Sequence, residues 1–384
     1  MNEQMRTWAE ISLDNLRSNY AALRAKSPGA RFLGVVKADA YGHGAGKVAA
    51  ELAALGADYL GVASLDEAVA LRDAGITIPI LILGCTPPEG AEELISRSLT
   101  QTVTDVETAR AYSRYADKLG KSLKIHIKLD TGMGRLGLDA RGGAVDAAEI
   151  ATLSGIEAEG IFTHFAVSDE ADGVEFTRGQ FETFMKTVDE IEKRLGFRFK
   201  IKHCANSGGV VNYPEMRLDM VRPGIALYGA YTGDLNGLCL KPVMALKTQI
   251  AYIYDLRPGE SVSYGRTYVA DEKRRVAVLP IGYADGLHRM LSGKIDFLIN
   301  GLRVPQIGRI CMDMCMVDIT HAAPCVRGDI VTIFGSDGDE ALPLAEQAEK
   351  AGTITYELLC AVAPRVPRIY SAQEKNACIK SALM

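Results

Sequence analysis

Only one of the 384 residues is tryptophan, and none of the eight cysteines (85, 204, 239, 311, 315, 325, 360 and 378) forms a CxxC pair. They read as reduced, mostly buried thiols of a cytoplasmic protein. No apolar run approaches a membrane span, and Met1 to Trp8 lack the apolar core of a signal peptide, so no membrane partner is expected and the expected compartment is the cytoplasm. A basic excess is also missing. The formal net charge of -5 argues against nucleic acid as the main partner, because neutralising phosphates needs a basic face. There is no 20 to 50 residue repeat and no low-complexity tract. Clustered His and Asp ligands are absent as well, so no metal site is expected and a metal-dependent barrel hydrolase is disfavoured.

What is present is ordinary globular material, 48% hydrophobic and 24% charged, long enough for a barrel-sized domain and a smaller one. Strand-like runs at 31–36, 58–62, 79–83, 100–103, 123–129, 158–163, 201–204 and 217–221 alternate with helix-like segments, among them 65–73, 106–119 and 174–195. That is the arithmetic of an α/β fold with a (β/α)8 TIM-type barrel, in which chemistry collects where strands end and βα loops begin. After Gly233 the pattern becomes short alternating runs punctuated by Pro258-Gly259, Asn300-Gly301 and Asp337-Gly338, the mark of a mainly antiparallel β-domain whose one clear helix is 342–351. The expected division is a barrel over 14–238 and a β-domain over 239–384. The N-terminal strand 7–13 is expected to join the β-domain, with the first barrel helix at 13–25.

Chemistry-bearing residues sit at the strand ends. Lys37 ends the first barrel strand, in Val35-Val36-Lys37-Ala38-Asp39-Ala40-Tyr41-Gly42-His43-Gly44. An amine in a low-dielectric pocket can lose its proton and attack an aldehyde, forming a Schiff base. The fifth strand places Lys124, His126 and Lys128 on one face and runs into Asp130-Thr131-Gly132-Met133-Gly134-Arg135. Two cations, Lys128 and Arg135, would repel there, which a neutral Lys128 relieves. The sixth strand ends at Phe162-Thr163-His164. The seventh ends in His203-Cys204-Ala205-Asn206-Ser207-Gly208-Gly209, small residues suited to hold an anion at a helix start or to cap it, and the eighth in Val221-Arg222-Pro223-Gly224-Ile225.

The string 35–44 resembles, almost letter for letter, the cofactor-lysine motif of the alanine racemases, and further matches follow in family order to residue 368. The resemblance implies pyridoxal 5'-phosphate (PLP) on Lys37, with Tyr41, His164, Asn206, Ser207, Gly224, Ile225 and Tyr356 around the cofactor. Arg222 would face the pyridine nitrogen and Arg135 the phenolic oxygen. It implies two proton-transfer groups on opposite faces, Lys37 and, from a partner subunit of a homodimer, Tyr264 in Ser263-Tyr264-Gly265-Arg266. A tyrosine's ordinary pKa near 10 would need lowering by a neighbouring imidazole and arginine, roles for His164 and Arg135. The backbone of Met312 would meet the carboxylate of a small amino-acid substrate, and Tyr283 and Arg309 would line the entrance. Lys128 matches a lysine that carries a carbamate (N6-carboxylysine) in the family. Met314 departs from the pattern, where glutamine is general, and puts the hydrogen-bond network behind that loop in doubt. The implied activity is interconversion of L- and D-alanine for peptidoglycan.

Two other readings remain open on sequence. An aromatic at Tyr356 favours alanine over serine, yet a racemase acting on serine or basic amino acids fits the same motifs. A non-catalytic PLP carrier of barrel type would be shorter and would lack residues 240–384.

Overall fold

The computed structural model describes residues 5–372; residues 1–4 and 373–384, with Cys378 and the last stretch of the expected β-domain, lie outside the described residues. The strands of the first half are β1 (Thr7–Ser12), β2 (Arg31–Val35), β3 (Tyr59–Val62), β4 (Ile80–Ile82), β5 (Thr100–Val103), β6 (Leu123–Asp130), β7 (Leu138–Asp139), β8 (Ile156–Phe162), β9 (Ile201–His203) and β10 (Met220–Val221). Eight of them run parallel in the order β10-β2-β3-β4-β5-β6-β8-β9, with the short β7 added to β6. The ends of β9 and β10 meet through Asp219 N donating to Lys202 O at 3.0 Å and Arg222 N to Ala205 O at 2.9 Å. The result is a near-closed barrel whose strands are buried on both faces, hence their short apolar runs.

Helices Leu65–Asp73, Val106–Leu119 and Val174–Leu195 fall where the apolar spacing places them. The first two start where the side chains of Ser64 and Asp105 accept the N–H of Glu67 and Thr108. The third stops at Gly196, in the left-handed conformation with φ 72°.

The second half holds β11 (Met244–Gln249), β12 (Tyr252–Leu256), β13 (Ser261–Val262), β14 (Tyr268–Val269), β15 (Arg274–Leu279), β16 (Asp296–Ile299), β17 (Leu302–Ile307), β18 (Cys315–Asp318), β19 (Ile330–Asp337), β20 (Glu340–Leu342) and β21 (Arg368–Ser371). Its main sheet has the order β12-β15-β18-β17-β16-β19-β11-β1-β21. The first described strand therefore lies between elements more than two hundred residues away, antiparallel to β11 and parallel to β21. Asn300 and Gly301, at φ 50° and 73°, make the tight turn between β16 and β17. The expected helix at 342–351 begins at Leu344, because 340–342 pair with β19 instead. A second helix, Thr355–Ala361, was not expected from the sequence.

Candidate active site at the barrel mouth

Lys37 follows β2 after the single residue Val36, and the four residues after it form one turn of left-handed helix: Ala38, Asp39, Ala40 and Tyr41 have φ of 52° to 54° and ψ of 43° to 52°. None is glycine, and such a turn costs L-residues roughly 1–2 kcal/mol each, so its surroundings must over-determine it. They do. The Glu67 carboxylate takes Ala38 N on one oxygen and Ala63 N on the other, both at 2.7 Å. Asp39 Oδ1 accepts Ala45 N at 2.7 Å, and Tyr228 Oη donates to Val35 O at 2.8 Å. From β21, Arg368 Nε donates to Gly42 O at 2.9 Å and Tyr370 Oη to His43 O at 3.0 Å. Gly44, at φ 90°, leaves no room for a side chain: a Cβ there would lie 1.8 Å from Tyr370 Oη. Burial lowers the pKa of the Lys37 amine and Arg135 lowers it further, while Glu67 opposes the shift.

Lys128 points into the barrel from β6, its ammonium donating to Leu136 O. Burial and then Arg135 push its pKa down to about 8. The loop after β6 wraps the Asp130 carboxylate, which accepts Gly132 N, Gly134 N and Arg135 N at 2.9 to 3.1 Å. Burial alone would raise that carboxyl; the three N–H donors hold it below its ordinary value. Its loop thereby carries Arg135, whose side chain is exposed.

His164 sits among cations. Its pKa lies well below the ordinary histidine value, first through burial and then through Arg222, Arg135, Lys128 and Lys37 in turn. Arg222, buried beside it, donates to Thr163 O at 2.8 Å, Cys204 O at 3.2 Å and His203 Nδ1 at 2.7 Å. On the adjoining corner Asn206, and not Ser207, caps the helix Ser207–Asn212 by accepting Gly209 N. Ser207 Oγ is left to accept Gly224 N at 3.0 Å and Ala226 N at 3.3 Å, on either side of Ile225. A Cβ on Gly224 would stand 2.6 Å from Tyr41 Oη. The ring of Tyr41 packs on Tyr228 at 4.9 Å and on Tyr356 at 6.0 Å, centroid to centroid. Burial raises the pKa of both Tyr41 and Tyr356, keeping them as neutral donors.

The structure thus draws Lys37, Tyr41, Lys128, Arg135, His164, Ser207, Arg222, Gly224 and Tyr356 to one end of the barrel. Tyr264, Met312, Tyr283 and Arg309 stand apart. They belong to the β-domain, where Tyr264 is 72% exposed, Met312 53% and Tyr283 43%. Arg309 lies against Gly265, and the backbone pairs Tyr283 N with Cys311 O and Ala284 N with Met312 O, both at 3.0 Å. Met314, also exposed, accepts Cys311 N through its carbonyl.

The order of residues in this mouth can be compared with known proteins. Residues 11–232 match the model of the alanine racemase N-terminal domain, and residues 243–370 that of the alanine racemase C-terminal domain. The chain belongs to the alanine racemase family. An alanine racemase of Desulfovibrio desulfuricans is 47% identical over 366 residues, 94% of this chain and 97% of its own length. The alanine racemase of Clostridium difficile 630 superposes with a TM-score of 0.90 at 40% identity, covering 96% of either chain. A histidine racemase from Leuconostoc mesenteroides superposes with a TM-score of 0.87 at 28% identity, over 96% of this chain and 99% of that one. So similar a backbone is thus shared by an alanine racemase and a histidine racemase.

Sequence reasoning gave no role to Glu67, Arg368 and Tyr370, which hold the lysine turn, or to Glu159 and His203, which lie beneath the mouth, although Arg368 and His203 stand in motifs it singled out. Glu67 had one local sign, the Ser64-x-x-Glu67 capping pattern opening a helix. The others act over sequence separations of 19 to more than 300 residues, beyond any local pattern.

Proposed function

We propose that this protein is a PLP-dependent alanine racemase that interconverts L- and D-alanine by a two-base mechanism, supplying D-alanine for peptidoglycan. The observation that carries the reading is the convergence of Lys37, Lys128, Arg135 and Arg222 on His164, a cationic mouth with few acids to balance it. A phosphorylated aldehyde and an amino acid bring a phosphate, a phenolic oxygen and a carboxylate, and so fit this donor set. Lys37 would hold the cofactor, Ser207 with the amides around Gly224 and Ile225 and the Tyr356 hydroxyl would take its phosphate, and Arg222 would face its ring nitrogen. When bound, PLP supplies an electron sink for the substrate α-carbon, weaker when the ring nitrogen is unprotonated.

The chain's own groups then do the following. Arg222 is fixed by N–H groups donated to Thr163 O, Cys204 O and His203, with others left over, and as a guanidinium it orients without surrendering a proton. That favours return of a proton to the α-carbon over transfer of the amino group elsewhere. Lys37, with its depressed pKa, exchanges the α-proton on one face. Tyr264 of the partner subunit exchanges it on the other, which makes the active unit a homodimer with shared sites. Arg135 and the Met312 backbone receive the substrate carboxylate, and Tyr283 and Arg309 line the way in. The amine of Lys128, its pKa lowered to about 8, is a candidate for carbamylation, which would turn it into an anion beside Arg135. We divide the chain at 238/239 into barrel and β-domain, with strand 7–13 assigned to the second.

The test is alanine racemisation in deuterated water with and without added PLP. Wash-in of one deuterium at Cα, dependent on PLP, is expected from either enantiomer; no exchange would overturn the reading. Comparing rates across alanine, serine and histidine tests the substrate.

A further inference from the structure

Beneath the mouth lies a buried polar chain that the two-base mechanism leaves unused. His203 Nδ1 is 2.7 Å from Arg222 Nη1, and His203 Nε2 is 2.8 Å from His126 Nδ1. His126 Nε2 has no hydrogen-bond partner among the described residues and points at Glu159 Oε2, 3.6 Å away. That same oxygen accepts the hydroxyl of Tyr59 at 2.7 Å, and Glu159 Oε1 lies 3.6 Å from Lys124 Nζ. His126 and His203 are fully buried, and Tyr59, Glu159 and Arg222 nearly so. The packing around the chain is specific. Phe162 stacks on His203 at 4.6 Å and lies under the Arg222 guanidinium at 5.1 Å. Gly160 has room for no side chain, since a Cβ there would sit 2.7 Å from the His126 ring.

The proton positions in this chain follow from one fact: a guanidinium donates and never accepts. His203 Nδ1 must offer a lone pair to Arg222, so a neutral His203 carries its hydrogen on Nε2 and donates to His126 Nδ1. His126 in turn carries its hydrogen on Nε2 and directs it at Glu159. An imidazolium at His126 would put a hydrogen on Nδ1 as well, forcing His203 to place its own hydrogen against Arg222. Every donor from Arg222 downward therefore points the same way, and the sequence ends on an acceptor that is also approached by Tyr59.

The far end also answers an energetic question. Arg222 is a buried cation whose hydrogen-bond partners are carbonyls and imidazoles, with no carboxylate among them. A buried charge without a counter-charge is costly, and chains of hydrogen bonds polarise one another in a low-dielectric interior. Glu159, near the amino-terminal ends of the barrel strands, is the carboxylate at the other end of that chain.

We propose that Glu159 is a positioning residue for Arg222, acting through a one-way hydrogen-bond chain made by His126 and His203. The proposal rests on the assignment of Arg222 to the cofactor ring, but its first test does not. In full-length protein labelled with 15N-histidine, with and without PLP, His126 and His203 should both be neutral with the proton on Nε2, unchanged from about pH 6 to about pH 9. A proton on Nδ1 of either ring, or an imidazolium, overturns it without touching the racemase reading. Glu159→Gln keeps an acceptor and removes the charge. It should leave KM for alanine near the wild-type value, lower kcat roughly 10- to 100-fold, the scale of outer-shell partners, and shift the His126 Nε2 resonance while the tautomer set from the Arg222 end stays as it is. Tyr59→Phe, which removes only the hydroxyl bond to Glu159, should lower kcat less and in the same direction, and serves if the glutamine variant does not fold. Wild-type kcat and unchanged histidine spectra in both variants would sink the proposal.

Discussion

The two halves of the molecule prepare their functional side chains in opposite ways. In the barrel, Lys37, Lys128, His164 and Arg222 are wholly or largely buried, and their pKa values are displaced by that burial. In the β-domain, Tyr264, Met312 and Tyr283 project from turns with large exposed surfaces and little to fix them. The difference teaches where each half gets its order. The barrel pre-organises its groups within one chain, whereas the β-domain leaves its groups open to solvent.

The largest effect should separate the halves by loss of chemistry. Lys37→Ala should cost more than about 10^4-fold in racemisation and abolish the visible absorbance that PLP acquires on the protein, measurable by spectrophotometry. Tyr264→Phe should cost ~10^2- to 10^4-fold while leaving the melting temperature within a degree or so, as an exposed residue should. If Tyr264 drew its role from its own chain, mixing the two variants would restore nothing; recovery of activity in hybrids is the expected outcome.

A middle-sized effect tests whether the barrel's rigidity depends on the other half. Arg368 donates to Gly42 O, Val362 O, Ala363 O and Val366 O at 2.6 to 2.9 Å, so Arg368→Ala leaves four carbonyls without that partner. A loss of about 2–4 kcal/mol in denaturant unfolding and slower uptake of PLP are expected. A stable variant with normal uptake would show that the barrel holds its lysine turn unaided.

The smallest effect concerns pH. The Lys128 amine, depressed to about 8 in the fold against 10.5 for a free lysine, binds its proton more weakly folded than unfolded. It therefore opposes folding fully below pH 8, and the penalty fades as pH rises towards the unfolded value. In carbon-dioxide-free buffer Lys128→Met should thus be more stable than the parent at neutral pH, with the gap closing above about pH 10. Adding bicarbonate should stabilise the parent alone; an unchanged melting temperature would remove the carbamate from consideration.

Much of the barrel mouth was legible because its parts are local. A strand followed by a lysine, a glycine-rich loop or a small-residue helix start is written in ten consecutive letters. What was not legible is what acts across the fold. Ala38 to Tyr41 contain no glycine, so their left-handed turn is imposed by Glu67, Asp39 and β21 and not by local preference. Strand alternation put His126 inside the barrel, but its pairing with His203, 77 positions later, required the barrel to close. The helix Thr355–Ala361 escaped notice because its seven residues offer too short a period to read.

The contact of β21 with the lysine turn sets an order of events in time. The peptide oxygens of residues 42 and 43 are gripped by residues 368 and 370, so this clasp closes on the lysine turn only after translation has passed residue 370. A ribosome-bound fragment with the full complement of barrel strands would still lack that clasp.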